Sequence, residues 1–176
     1  EWAEINVSRD GRVRTVRARH VVFAAPAYVA RAIVKDLPDD KAEALSSITY
    51  GPYIVMAAAT REAGPMPYDD IYAVAVAGRT LSMLFNTVNP LRVPGMPRTP
   101  GGTLMMYAGG QRAAALLNAT DQEIRDRLLS DVHAVFPETR GLIEETWIRR
   151  LTHGYPYWTP GRLARQDALA RPLGNV

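Results

Sequence analysis

The sequence predicts an α+β fold with a central mixed, largely antiparallel sheet flanked by helices. Three observations predict it. Four runs rich in β-branched, aromatic and Met residues, at 53–60, 71–77, 81–87 and 103–108, are punctuated by Gly and Pro in the manner of successive strands. Thr120-Asp121-Gln122-Glu123 is a capping box, in which the Thr hydroxyl and the Glu carboxylate satisfy each other's orphan backbone N–H groups, so a helix must follow. Residues 2–8 and 12–18 alternate apolar and polar side chains about Asp10-Gly11, a dipeptide that tolerates positive φ, which predicts a β-hairpin.

In chain order, the hairpin comes first. The run His20-Val21-Val22-Phe23-Ala24-Ala25-Pro26 then suggests a strand buried on both faces and a helix beginning near Pro26. Val29, Ala32 and Ile33 continue at helical spacing, and Pro38-Asp39-Asp40 opens a second short helix with acids in its first turn, ending near Ile48. The four strand runs follow. Between the third and the fourth, residues 89–102 hold Pro90, Pro94, Pro97 and Pro100 with Gly95, Gly101 and Gly102, too many breakers for regular structure, and predict a surface excursion. After the capping box, Ile124, Leu128, Val132, Val135 and Phe136 fall on one stripe until Pro137 stops the helix. Residues 143–151 read as a further strand, and 153–176 as a loop-like tail.

A chain of 176 residues with 47% hydrophobic content is long enough to bury one sizeable core. With no Cys there is no disulfide framework and no thiol nucleophile; a reducing interior fits, and the expected location is cytoplasmic. Lys and Arg number 21 against 18 Asp and Glu, a net charge too small and scattered to indicate nucleic acid. Lys35 and Lys41 are the only lysines, so the positive charge is almost all Arg, suited to planar contacts with carboxylates. No apolar run approaches the roughly 20 residues of a membrane span. The start, Glu1-Trp2-Ala3-Glu4, lacks an initiator Met and a signal pattern and reads as mid-protein.

Unaided, the residues display no catalytic group. His20, His133 and His153 are too scattered for a local metal motif, and no metal site is expected. Asp69-Asp70 and Glu144-Glu145 are adjacent pairs whose side chains point apart on a strand. Nucleophile elbow, P-loop and G-x-G-x-x-G are all missing. Tyr53, Met56, Met83, Phe85, Met105, Met106 and Tyr107 lie on the expected strands, either as ordinary core or as one lining of a large apolar cavity. The run Tyr155-Pro156-Tyr157-Trp158-Thr159-Pro160-Gly161 is harder to place in a core. Three aromatics in a Pro/Gly-rich loop point to the wall of a ligand or cofactor site.

Three separated stretches, in order, resemble the superfamily of flavin amine oxidases, protoporphyrinogen oxidases and phytoene desaturases. Val21-Val22-Phe23-Ala24-Ala25-Pro26 is similar to the family strand that leaves the FAD domain. Leu37-Pro38, Ala44-Leu45 and Ile48-Thr49-Tyr50-Gly51-Pro52 resemble the passage into the substrate-domain sheet. Pro156-Tyr157-Trp158-Thr159-Pro160-Gly161-Arg162-Leu163, followed by Pro172-Leu173-Gly174-Asn175-Val176, resembles the approach to the last FAD-binding strand.

The resemblance implies that residues 1–26 are an end segment of an FAD-binding domain, with the hairpin and strand at its edge. It implies a substrate-binding domain over 27–155 and a return segment over 156–176. The implied activity is dehydrogenation of an amine or a large apolar substrate by hydride transfer to FAD, whose phosphate-binding fingerprint lies outside this chain. Ala24, Ala25, Pro26 and Trp158 are the implied cofactor contacts. Val55, Met83, Met105, Tyr155 and Tyr157 are the implied substrate contacts. Two departures count against a strict amine oxidase: Val55 stands where such members commonly carry Lys, and Leu151 where they often carry Trp. They shift weight to branches with large apolar substrates. The expected partners are a small apolar substrate and the remainder of the FAD domain, in the parent chain or a partner chain. The alternatives are a free-standing module for an apolar ligand without redox activity, and a subunit that completes an FAD site with another chain.

Overall fold

Asp10 and Gly11 both take positive φ, 51° and 73°, and close a two-residue turn between β1 (Ala3–Arg9) and β2 (Arg12–Ala18) in the computed structural model, which describes residues 2–174. Positive φ at both turn positions matches the right-handed twist of the paired strands, which is why Asp-Gly is the sequence found there. The pairing is antiparallel, Arg9 opposite Arg12 and Ala3 opposite Ala18.

The described chain divides into two compact units, residues 2–49 with 157–174, and residues 50–156. The first holds the hairpin, α1 (Ala27–Ile33), α2 (Asp39–Ser46) and α5 (Gln166–Ala170). Pro26 and Pro38 precede α1 and α2, where the missing N–H is no loss. Residues 157–174 are tied to α2 by charge. The buried Lys41 donates from Nζ to the carbonyls of Leu169 (3.2 Å) and Arg171 (2.5 Å), Arg171 meets Asp40 at 2.6 Å and Arg165 meets Glu43 at 3.0 Å. Lysine at the C-terminal end of α5 answers carbonyls that have no partner within the helix.

The expected strand before Pro26 is absent. Residues 20–25 pair with no strand among the described residues, and Val22 is 90% exposed. An apolar run becomes a strand only where its backbone groups find a ladder, and none is offered there.

The second unit is a five-stranded sheet in the order β4-β5-β6-β3-β7, with every adjacent pair antiparallel. Its strands are β3 (Tyr50–Thr60), β4 (Ala73–Ala75), β5 (Met83–Asn86), β6 (Gly102–Gly109) and β7 (Ile143–Pro156). The expectation of a mixed sheet is met in its antiparallel part. β4 is shorter than its apolar run, and β7 extends past the expected end at 151 to Pro156, so Tyr155 belongs to a strand rather than to a loop.

Two helices cover one face: α3 (Gln111–Ala114), which carries no cap or periodic signal, and α4 (Asp121–Val135). The capping box forms as expected. Glu123 N–H donates to the Thr120 hydroxyl (3.2 Å), while Thr120 N–H (2.7 Å) and the Thr120 hydroxyl (2.8 Å) donate to the Glu123 carboxylate and hold its pKa below the usual value. Ile124, Leu128 and Val132 are fully buried against Ile54, Met56, Ala58, Leu104 and Met106. Arg150 of β7 fixes the helix start, donating to the Ala119 carbonyl at 2.7 Å and pairing with Asp121 at 2.6 Å.

The inner face ends in charge. Glu62, two residues past β3, is buried beside the partly buried Asp69, Arg92 and Arg98. Arg92 approaches Glu62 at 3.7 Å and Asp69 at 4.0 Å; Arg98 lies 3.6 Å from Glu62 and pairs with Asp69. Arg92 also donates to the carbonyls of Thr99 and Gly101, so the group pins both ends of the proline-rich excursion. Tyr68 beside it is pushed to a pKa of about 12, by burial first and then by Glu62 and Asp69.

Candidate functional site

Cross-strand partners in an antiparallel pair project to the same face, so the register sorts the sheet's side chains into two sets. On the face away from α3 and α4, one row runs Ala75, Met83, Tyr107, Val55, Arg149, and the next Ala73, Phe85, Met105, Ala57, Trp147. A third holds Gly109, Tyr53 and Leu151. Met56 and Met106, which the sequence could not separate from these, belong to the buried face.

The rings on the outer face form a chain. Tyr155 stacks on Tyr53 (centroids 6.3 Å apart), Tyr53 meets Tyr107 at a tilt (5.6 Å), and Tyr107 with Phe85 (5.3 Å) and Phe85 with Tyr72 (5.4 Å) meet edge to face. It crosses the sheet from β7 to the residue before β4. Two glycines let Tyr53 lie flat: a Cβ on Gly109 would stand 2.8 Å from its ring, and one on Gly154 would stand 2.5 Å from its Cβ. Tyr155 follows an irregularity in the pairing of β3 with β7 between Gly51 and Tyr53, which brings it over Tyr53.

Acid–base groups are few on this surface. The Tyr53 hydroxyl has its pKa raised, by burial and then by Tyr107 and Tyr155, so it is a neutral phenol at physiological pH. On the outer face of these strands the charged residues are Glu145 and Arg149, on one strand and with no ion pair among the described residues. Among the described residues no cluster of three or more His, Asp or Glu is placed to hold a metal. An opening of about 450 Å³ elsewhere in this unit is lined by Arg79, Arg112, Arg127 and Asp131, but Asp131 is already taken by the Leu81 N–H (2.9 Å) and Arg79 (3.3 Å).

The structure therefore gathers four of the expected contacts, Val55, Met83, Met105 and Tyr155, on one face of the second unit. The other five lie in the first unit. Ala24, Ala25 and Pro26 are exposed just before α1, and the Pro26 carbonyl accepts from Val29 and Ala30 N–H. Tyr157 N–H donates to the Thr49 carbonyl at 2.8 Å, and Trp158, 74% exposed, lies under the Arg162 guanidinium at 5.2 Å. Sequence reasoning left Tyr53, Phe85 and Tyr107 open between core and cavity lining and did not name Tyr72. The signal was available in the alternation of 53, 55 and 57 against 54, 56 and 58, but it became directional only once α4 showed which set was covered.

The family profile described as flavin containing amine oxidoreductase matches residues 4–176. The chain belongs to that family. Solved structures similar to it include a putrescine oxidase with putrescine bound, at 18% identity and TM-score 0.70, covering 98% of this chain and 39% of that one. Cyclohexylamine oxidase from Brevibacterium oxydans IH-35A matches at 20% identity and TM-score 0.66, with 98% and 38% covered. A reduced UDP-galactopyranose mutase matches at 12% identity and TM-score 0.65, with 90% and 34% covered. The chain thus spans about two-fifths or less of the length of these structures. No curated protein matches the sequence. At such identities the likeness is one of fold, and a fold shared by oxidases and a mutase does not by itself choose a reaction. No helix among the described residues is long and apolar enough to cross a membrane.

Proposed function

We propose that this chain supplies the substrate-facing sheet of an FAD-dependent oxidoreductase acting on an amine or a large apolar substrate. The observation that carries the reading is the chain of five rings with Met83 and Met105 on the sheet face that the helices leave open. Residues 1–26 are then the end segment of an FAD-binding domain, 27–155 the substrate domain and 156–176 a return segment towards the FAD domain. The remainder of that domain, in the same or a partner chain, is the partner, and the compartment is cytoplasmic. The outer face of the second unit suits the ring end of a flavin, being aromatic and raising the pKa of its Tyr53 phenol. Bound flavin supplies the hydride acceptor.

This chain's residues do the rest. Tyr53, Tyr107 and Phe85 hold an apolar body by area and ring contact, Met83 and Met105 adapt to its outline, and together they exclude water from the reacting bond. Val55, where related oxidases commonly carry Lys, leaves that position apolar and favours large apolar substrates over small amines.

The test uses the full-length parent protein, screened anaerobically with amines and apolar substrates for bleaching of the flavin's visible band. Tyr107→Ala should lower kcat/KM about tenfold, the equivalent of about 1.4 kcal/mol of transition-state binding, with flavin content unchanged. Trp158→Ala should lower kcat/KM as well. Unaltered kinetics in both variants, or a parent without flavin, would remove the proposal.

A further inference from the structure

The ring chain leaves one side chain on the outer face unexplained. Arg149 stands in the middle row of the sheet, opposite Val55, which is itself opposite Tyr107. Its neighbours on the same face of β7 are Trp147 and Leu151, both substantially exposed. Among the described residues its guanidinium makes no ion pair and no hydrogen bond, whereas the next residue, Arg150, points to the other face and is engaged by both Ala119 and Asp121. Glu145 is the other charge on this face, four residues along the strand and therefore about 13 Å away by backbone rise, with Trp147 between them.

A guanidinium offers planar, paired N–H donors that match a carboxylate in two parallel hydrogen bonds. Placed beside an apolar, aromatic surface, it reads the head of a ligand whose body the surface holds. We propose that the outer face selects an apolar molecule bearing a carboxylate, with Arg149 taking the carboxylate and Tyr107, Phe85 and Met105 the body. The inference rests on the outer face being the substrate face. It narrows the substrate class, because a cationic head beside Arg149 meets a like charge.

Two probes with one tail and opposite heads, dodecanoate and dodecylamine, test it on the full-length flavoprotein, read by calorimetry and by the flavin's visible spectrum. Dodecanoate should bind at least about tenfold more tightly than dodecylamine. Arg149→Gln should abolish that preference, and Arg149→Lys should restore part of it. Equal binding of both probes, binding of neither, or a preference that survives in Arg149→Gln overturns the proposal and leaves Arg149 a solvated surface charge. An Arg149-dependent preference seen by calorimetry without any change in the flavin spectrum keeps the carboxylate site and refutes the reading that this face meets the flavin. Tyr107→Ala should weaken both probes alike, which separates the body contact from the head contact.

Discussion

The two faces of the five-stranded sheet are built from the same strands and from similar residues, yet one is sealed and the other open. Met106, Met56 and Ile54 are inaccessible to solvent, while Met105, Val55 and Tyr53, one position away, remain partly accessible. Composition does not separate them; α4 does, because its stripe of Ile124, Leu128 and Val132 lies on one face only. Charge follows the same division. Glu62, at the end of the inner face, is surrounded by Arg92 and Arg98, as a buried carboxylate must be, whereas Arg149 on the outer face has no partner among the described residues. A surface that keeps large apolar side chains and a lone cation uncovered is committed to something other than packing.

The largest effect expected from breaking this contrast is at Glu62. Glu62→Ala removes one carboxylate from a group of four charges and leaves two arginines sharing Asp69, which should cost about 3–5 kcal/mol in urea unfolding of the parent protein. Arg149→Gln, removing a charge of the opposite face, should change stability by no more than about 0.5 kcal/mol. A loss below about 1 kcal/mol for Glu62→Ala would mean that the four charges are not the closed group described.

Next comes the adjacent pair Met105 and Met106. Met106→Ala empties a site with no solvent access and should cost about 2–5 kcal/mol, while Met105→Ala should cost under about 1 kcal/mol and act instead on substrate binding. Equal losses would show that the outer face is covered in the parent by something that packs as α4 does, and would weaken the proposed function.

What the sequence disclosed follows the range of the interaction. The Asp10-Gly11 turn, the capping box at Thr120 and the stop at Pro137 are local devices, and each was legible. Met105-Met106 was not, because two neighbouring apolar residues on a strand cannot say which of them faces a helix 20 residues away in the chain. The run 20–26 misled for the same reason: an apolar segment announces burial, but its pairing partner must come from elsewhere. The Pro/Gly-rich run from Tyr155 to Gly161 reads as loop, and Gly154 and Pro156 flank Tyr155. The strand persists through them, since Gly154 leaves room for Tyr53 and Pro156 stands at the strand's end.

The smallest expected effect is a pH dependence confined to the covered side. His133 lies on α4, and its Nδ1 is 2.7 Å from the Thr139 hydroxyl. That hydroxyl donates to the Phe136 carbonyl at 2.7 Å, so its proton is committed and Nδ1–H must be the donor to it, which leaves Nε2 as the site that takes up a proton. Burial, and then the nearby Arg140, lower the His133 pKa from 6.5. In the folded state the neutral ring is favoured, so the unfolded chain binds the extra proton first. Stability from this group is therefore complete above pH 6.5 and is lost as pH falls from there through the lowered folded value. Glu123 and Asp40 also have lowered pKa values, but their losses begin only near their unfolded values of 4.5 and 3.8, which keeps the two windows apart. The measurement is Tm against pH for the parent and for His133→Gln, whose amide can still donate to Thr139. The parent should lose stability just below pH 6.5 and the variant should not. Parallel curves would show that the His133 ring is as well hydrated in the folded protein as in the unfolded chain, and that this part of the covered face is open to water.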